Sequence, residues 1–192
     1  SFVGPDRVKQ DGGGGLLAGQ AGAIFSPPFP SHWNATLMDI FGVISSRRSI
    51  KRFTERTISK EAIRQLLEIA VHAPNHRMTE PWRFYVLGPE ARAAYGAALG
   101  VRKAKRVDEP DAAEAVIRKV ADSHRALPAM LAVSMTVDEN VEIREEDYAS
   151  TFMAIQNLCL AACAMGLGTH VKSGAVMDDP IARAAVRVGE QE

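Results

Sequence analysis

Residues 72–84 read HAPNHRMTEPWRF, a polar stretch bracketed by two prolines. Pro74 cannot continue a helix and Pro81 restricts the residue before it, so a helical segment must stop near His72 and an extended one must begin near Trp82. The turn between them is fixed at both ends. Asn75, His76 and Arg77 can each donate hydrogen bonds, whereas Trp82 and Phe84 have apolar area to bury. Such a loop can hold something polar against something flat, or it can be an ordinary turn plugged by a buried Trp.

Working outward, Ser46-Arg47-Arg48-Ser49-Ile50-Lys51-Arg52-Phe53 follows a short amphipathic segment. In that segment Leu37, Ile40, Phe41 and Ile44 lie at helical spacing behind a Thr36/Asp39 capping signal. A cation run such as Arg47-Arg48-Ser49-Ile50-Lys51 is usually a solvated face. It is also a competent anion cradle, because guanidinium forks match phosphate oxygens and an ammonium acts as a point charge.

Taken together, Arg47-Arg48-Ser49 after a first helix, then Ala73-Pro74-Asn75-His76 and Pro81-Trp82-Arg83-Phe84, resemble the FMN-dependent nitroreductase family, and within it the small, minimal bacterial members. The resemblance runs from about Met38 to Val188. It implies an α+β fold, a mixed central sheet flanked by helices, in a homodimer with FMN at the interface. Carried over by position, Arg47 and Ser49 would address the phosphate and ribityl tail, and Arg48 would add a contact. Lys51 would approach the pyrimidine edge of the ring, where a cation stabilises the charge of the reduced flavin. His72 and His76, with Asn75 between them, fall where the family's loop touches the flavin, commonly from the partner subunit. Val171-Lys172-Ser173-Gly174 is similar to the family's turn beside the ring, whose backbone donors face the reactive nitrogen. Glu80 stands where the family carries a glutamine.

The function so implied is an FMN-dependent oxidoreductase that takes hydride from NADH or NADPH and reduces a nitroaromatic, quinone or similar acceptor by ping-pong transfer. No side chain is expected to do the chemistry itself, and Lys51 is the candidate for tuning the flavin. The rivals are a noncatalytic flavin-binding scaffold and specialised flavin chemistry such as reductive dehalogenation. The resemblance further implies a strand and basic C-terminal arm after the last helix. The sequence stops at Glu192, so either this chain is incomplete or the arm is missing, which would leave a sheet edge unpaired and the cofactor held more weakly.

At 192 residues the chain fits one domain, over 36–192, behind a flexible leader over 1–35 marked by Gly12-Gly13-Gly14-Gly15 and Pro27-Pro28. With 23 basic against 23 acidic residues, no general pull toward nucleic acid or an anionic membrane is expected. The longest apolar run, over 153–167, is broken by Gln156 and Asn157 and is shorter than a membrane span needs. Cys159 and Cys163 sit one helical turn apart, poorly placed to bridge, and suit a reducing, cytoplasmic setting. His72 and His76 are separated by the helix-breaking Pro74, so no metal site is expected.

The remaining pattern predicts a helix from Ser59 to His72, a strand over 83–87 and a helix from Pro89 to Gly100. A charged surface excursion over 101–110 follows, which the resemblance makes a candidate lid on the acceptor side. A helix over 112–123 precedes an apolar strand over 129–137, expected at the centre of a sheet covered on both faces. A buried helix over 145–165 is expected to point Tyr148, Phe152, Ile155, Cys159 and Ala162 into the core. Ala161, Ala162 and Ala164 there would allow another helix to approach closely, either the same helix of a second subunit or one packed in the core of this chain. Gly166 and Gly168 follow a helix, so they make no dinucleotide fingerprint, and Asp178 is expected to cap the last helix.

Overall fold

The computed structural model describes residues 39–192. The expected leader over 1–35, with Thr36 and Leu37 of the first helix signal, lies outside the described residues. Helix α1 (Ile40–Ser46) starts where the Asp39 carboxylate accepts the Gly42 N–H at 2.9 Å. Helix α2 (Lys60–Ala70) starts where the Ser59 hydroxyl accepts from Ala62, and it runs out just before Pro74. Strand β1 (Trp82–Val86), α3 (Pro89–Ala104), α4 (Pro110–Arg125), β2 (Leu131–Met135), α5 (Val141–Ala164) and α6 (Pro180–Val186) complete the order. The class is α+β, as expected. α6 is capped by Asp179, not Asp178, since it is the Asp179 carboxylate that accepts from Ile181 and Ala182.

The core is built on the proline-bracketed loop. Trp82 is 7% exposed and packs among Leu66 and Ala70 of α2, Ala73, and Ala154, Leu158 and Ala162 of α5. Alanines on both helices leave the indole a flat bed; truncating such a ring costs about 3–5 kcal/mol.

This arrangement corrects the expected face of α5 in part: Cys159 and Ala162 are buried as expected, Tyr148 and Phe152 are not. The buried positions are Asp147, Ser150, Thr151, Ala154, Leu158, Cys159 and Ala162, while Tyr148 and Phe152 remain 55% and 38% exposed and meet each other at a tilt, ring centroids 4.9 Å apart. A bulky stripe could not have shared the space with Trp82, whereas the small one can. Ala162 is accordingly spent inside this chain's own core, at 1% exposure, rather than left for a second subunit.

Two further expectations change. Among the described residues the sheet is a single antiparallel pair, Trp82 opposite Met135 through Val86 opposite Leu131, plus one isolated parallel bridge between Ser49 and Thr169. β2 is half-buried at every position with β1 as its one described neighbour, so the expected cover on both faces is absent. Gly100 does not end α3: a Cβ there would sit 2.7 Å from the Ile117 Cα of α4, so the glycine permits a close helix crossing and α3 continues to Ala104. The expected excursion over 101–110 is thus the last turn of α3 and a short connection.

Candidate functional site

The cationic segment begins as the end of a helix. Arg48 Nη1 folds back onto the carbonyls of Ser45 (2.7 Å) and Arg47 (2.8 Å), closing α1 as a C-terminal cation does. That nitrogen is therefore engaged locally. The side chains of Arg47, Ser49 and Lys51 make no hydrogen bond or ion pair among the described residues, and Ser49 and Lys51 are exposed.

The backbone then brings this segment to the turn after α5. Gly166, at φ 72°, ends that helix, and Leu167 N–H returns to the Ala162 carbonyl at 2.8 Å. Ser49 bridges Thr169, with Ile50 N–H donating to the Thr169 carbonyl at 2.8 Å. Gly168 makes the approach possible, because a Cβ there would meet Ile50 Cγ1 at 2.9 Å. Val171, Lys172, Ser173 and Gly174 follow in exposed positions, and the N–H groups of Lys172, Ser173 and Gly174 donate to nothing among the described residues. Gly174 takes φ 112° with open space around it. Arg47, Ser49, Lys51 and 171–174 thus share one edge of the molecule. Its unpaired cations, hydroxyls and backbone donors fit a phosphorylated, hydrogen-bonding group such as FMN.

The second motif folds onto the other end of α5. Asn75 is turned inward: its Oδ1 accepts the Glu80 N–H at 2.7 Å and its Nδ2 donates to Thr79 at 3.1 Å, so the amide shapes the loop instead of facing outward. His72 is exposed and has no side-chain partner among the described residues. His76 Nδ1 lies 3.0 Å from Glu146, and Arg77 reaches Glu146 at 3.1 Å and Glu142 at 3.3 Å. Thr79 donates to the buried Asp147. Met78 and Glu80 take φ of 53° and 45°, each costing on the order of 1 kcal/mol or more for a side chain with a Cβ. The carboxylates of α5 hold that shape. They carried no motif of their own; the 142/146 spacing was the available signal, and acidic residues early in a helix are ordinary macrodipole partners.

The two halves of the expected site are far apart in one chain. Ser46 Oγ lies 3.6 Å from Cys163 Sγ near the end of α5, while His76 rests on Glu146 near its start. At helical rise the anchors are roughly 25 Å apart along the axis. Surface concavities of ≈ 420 Å³ (Leu99, Arg102, Lys103, Arg106) and ≈ 630 Å³ (Val137, Asp138, Glu139, Glu190, Gln191) contain none of the expected residues. Apolar side chains on α1 and α5 face outward instead: Phe41 is 80% exposed and Ile40 57%, beside Ile44, Tyr148, Phe152 and Met153.

One buried titratable group escaped the sequence reading. His124, 7% exposed, packs on Tyr95 and places Nδ1 2.8 Å from the Val120 carbonyl. Burial lowers its pKa, against the opposing Val120 bond, with Lys172 and Lys103 adding to the fall. Among the described residues no group of three or more His, Cys, Asp or Glu could hold a metal, and no helix is long and apolar enough to cross a membrane.

The nitroreductase family profile matches residues 44–186, a span that takes in both motifs and the turn after α5. The chain belongs to the nitroreductase family. It is 36% identical over 148 residues to a Bacillus subtilis (strain 168) protein provisionally named NAD(P)H nitroreductase YfhC, covering 77% of this chain and 74% of that one. A crystal structure of a nitroreductase-like family protein from Bacillus cereus superposes with a TM-score of 0.69 at 29% identity, covering 82% of this chain and 81% of that one. A variant of the FMN and NADPH-dependent nitroreductase NfnB derived from sphigopyxis sp. strain HMH shares the fold at 18% identity and a TM-score of 0.63, over 80% of this chain and 83% of that one.

Proposed function

We propose that this nitroreductase-family chain is one subunit of a homodimeric, FMN-dependent oxidoreductase that takes hydride from NADH or NADPH and reduces a nitroaromatic, quinone or similar flat acceptor. The observation that carries the proposal is the Ser49–Thr169 bridge, which sets Arg47, Ser49 and Lys51 beside the free backbone donors of 171–174. The naming of YfhC for NAD(P)H, and of NfnB for FMN and NADPH, supports the choice of cofactor and hydride donor.

In this reading Arg47 and Ser49 bind the phosphate and ribityl tail, and Lys51 places positive charge near the pyrimidine edge. FMN held there would supply the two-electron, ping-pong chemistry between nicotinamide and acceptor. The chain positions and tunes that chemistry. His76, at the far end of α5, would reach the same ring only from a second copy, and His72 lies just before the same loop. The apolar residues exposed on α1 and α5 supply the surface such a copy would cover.

Reconstitution with FMN followed by anaerobic NADPH tests this. A yellow protein retaining flavin through gel filtration, bleached by NADPH and recoloured by a quinone, is the expected result; protein that stays colourless, or yellow protein unmoved by NADPH and NADH alike, overturns it.

A further inference from the structure

The loop over 75–80 is held in its strained shape from below, and Glu146 is at the centre of the hold. Its Oε1 lies 3.0 Å from His76 Nδ1, its Oε2 accepts from Arg77 Nε at 3.1 Å, and Glu142 takes Arg77 Nη2 at 3.3 Å. Arg77 and Glu142 are the other charged groups recorded against the pair. The hydrogen bond from His76 foremost, with Arg77 adding to it and partial burial opposing, keeps the Glu146 carboxyl below its ordinary range. At neutral pH it is an ionised acceptor with no proton to give.

The nitrogen that faces such a carboxylate must carry the hydrogen. Nε2 on the far side of the ring makes no hydrogen bond among the described residues, and the His76 side chain is 71% exposed against 31% for Glu146. A neutral imidazole with Nδ1 protonated has a lone pair at Nε2 and so accepts there instead of donating.

From this geometry we infer that Glu146 is a positioning residue: it fixes His76 in the Nδ1–H tautomer and so presents Nε2 outward as an acceptor. The matching ligand group is an N–H, such as the imide of a flavin ring, in preference to a phosphate or carbonyl oxygen. The choice of ligand rests on the flavoprotein reading above; the tautomer does not. Without Glu146 the ring is free to turn and to exchange tautomers, as happens when the outer partner of an oriented histidine is lost.

The test has two readouts, on the full chain with ¹⁵N-labelled histidine, comparing wild type, Glu146→Ala and Glu146→Gln after a circular dichroism check of folding. Two-bond proton–nitrogen spectra without FMN should show wild-type His76 as the Nδ1–H form, a mixture in Glu146→Ala, and the Nδ1–H form largely kept in Glu146→Gln, whose amide oxygen still accepts. Flavin-fluorescence titration should then show FMN binding weakened roughly fivefold in Glu146→Ala, the size of one neutral hydrogen bond, and less in Glu146→Gln. A wild-type Nε2–H tautomer, or an unchanged tautomer in Glu146→Ala, overturns the positioning role. Equal FMN affinity in wild type and Glu146→Ala overturns the ligand assignment. Wild type that binds no FMN defeats the flavoprotein reading instead, and the tautomer result still decides the role of Glu146.

Discussion

Ile50 and Thr169 are joined by a single backbone hydrogen bond of 2.8 Å, and through it two segments more than a hundred residues apart become one surface. The bridge depends on Gly168, over which the Ile50 side chain lies. The position of every cation in the proposed cradle relative to 171–174 follows from that contact.

Replacing Gly168 with alanine therefore separates the segments. The new Cβ meets a β-branched, stiff side chain at 2.9 Å, and overpacking of this kind costs about 1–3 kcal/mol. Gly168→Ala should lower thermal stability and FMN retention together, and Ile50→Ala in the same chain should restore much of both. A double-mutant cycle measures the coupling, and additive effects would dissociate Gly168 from Ile50.

Arg47→Ala removes one cation of the proposed cradle, a side chain with no hydrogen bond or ion pair among the described residues. FMN affinity should fall about tenfold or more, and the fall should shrink as salt rises. Arg118→Ala, which removes an exposed α4 cation paired among the described residues with Glu114 at 3.8 Å, is the control and should leave affinity unchanged. Flavin titration at low and high ionic strength reads both.

His124 gives the chain an acid limit above the carboxylate range. Its folded-state pKa lies below the ordinary 6.5, so between the two values the unfolded chain binds a proton that the folded chain does not. Stability from this residue is fully present above about pH 6.5 and is lost as pH falls below it. Melting temperature should decline from pH 7 to pH 5.5 in wild type, and His124→Phe should flatten that decline. Parallel curves for the two proteins would assign the loss to other groups.

What could be read from the sequence was whatever local chemistry dictates. Pro74 and Pro81 bracketed the loop, Ser59 capped α2, Pro89 opened α3 and Gly166 closed α5, each because a backbone constraint acts within a few residues. The buried face of α5 was legible only in part: Cys159 and Ala162 are buried as expected, whereas Tyr148 and Phe152 are not. Its pattern is apolar on more than one side, and burying Asp147 makes sense only once Thr79, 68 positions earlier, is seen donating to it. Gly100 looked like a stop for the same reason: the Ile117 backbone that requires it belongs to another helix. Arg48 and Asn75 were carried over as cofactor contacts by motif position, and each also bonds a nearby backbone group, which the motif alone did not reveal.

The site itself divides along the same line. Its two motifs were visible, but their separation by most of the length of α5 was not, and under the proposed function this distance is what calls for a second copy. His76 and Arg47 cannot meet in one chain across roughly 25 Å of helix.

Mixed dimers test that claim most directly. Chains carrying Arg47→Ala and chains carrying His76→Ala, each poor in FMN alone, are co-refolded and the heterodimer isolated through two affinity tags. If each site takes Arg47 from one subunit and His76 from the other, the heterodimer holds one intact site and should bind one FMN with wild-type affinity. A heterodimer that binds no better than either parent would place both residues' action within a single chain and contradict the shared site.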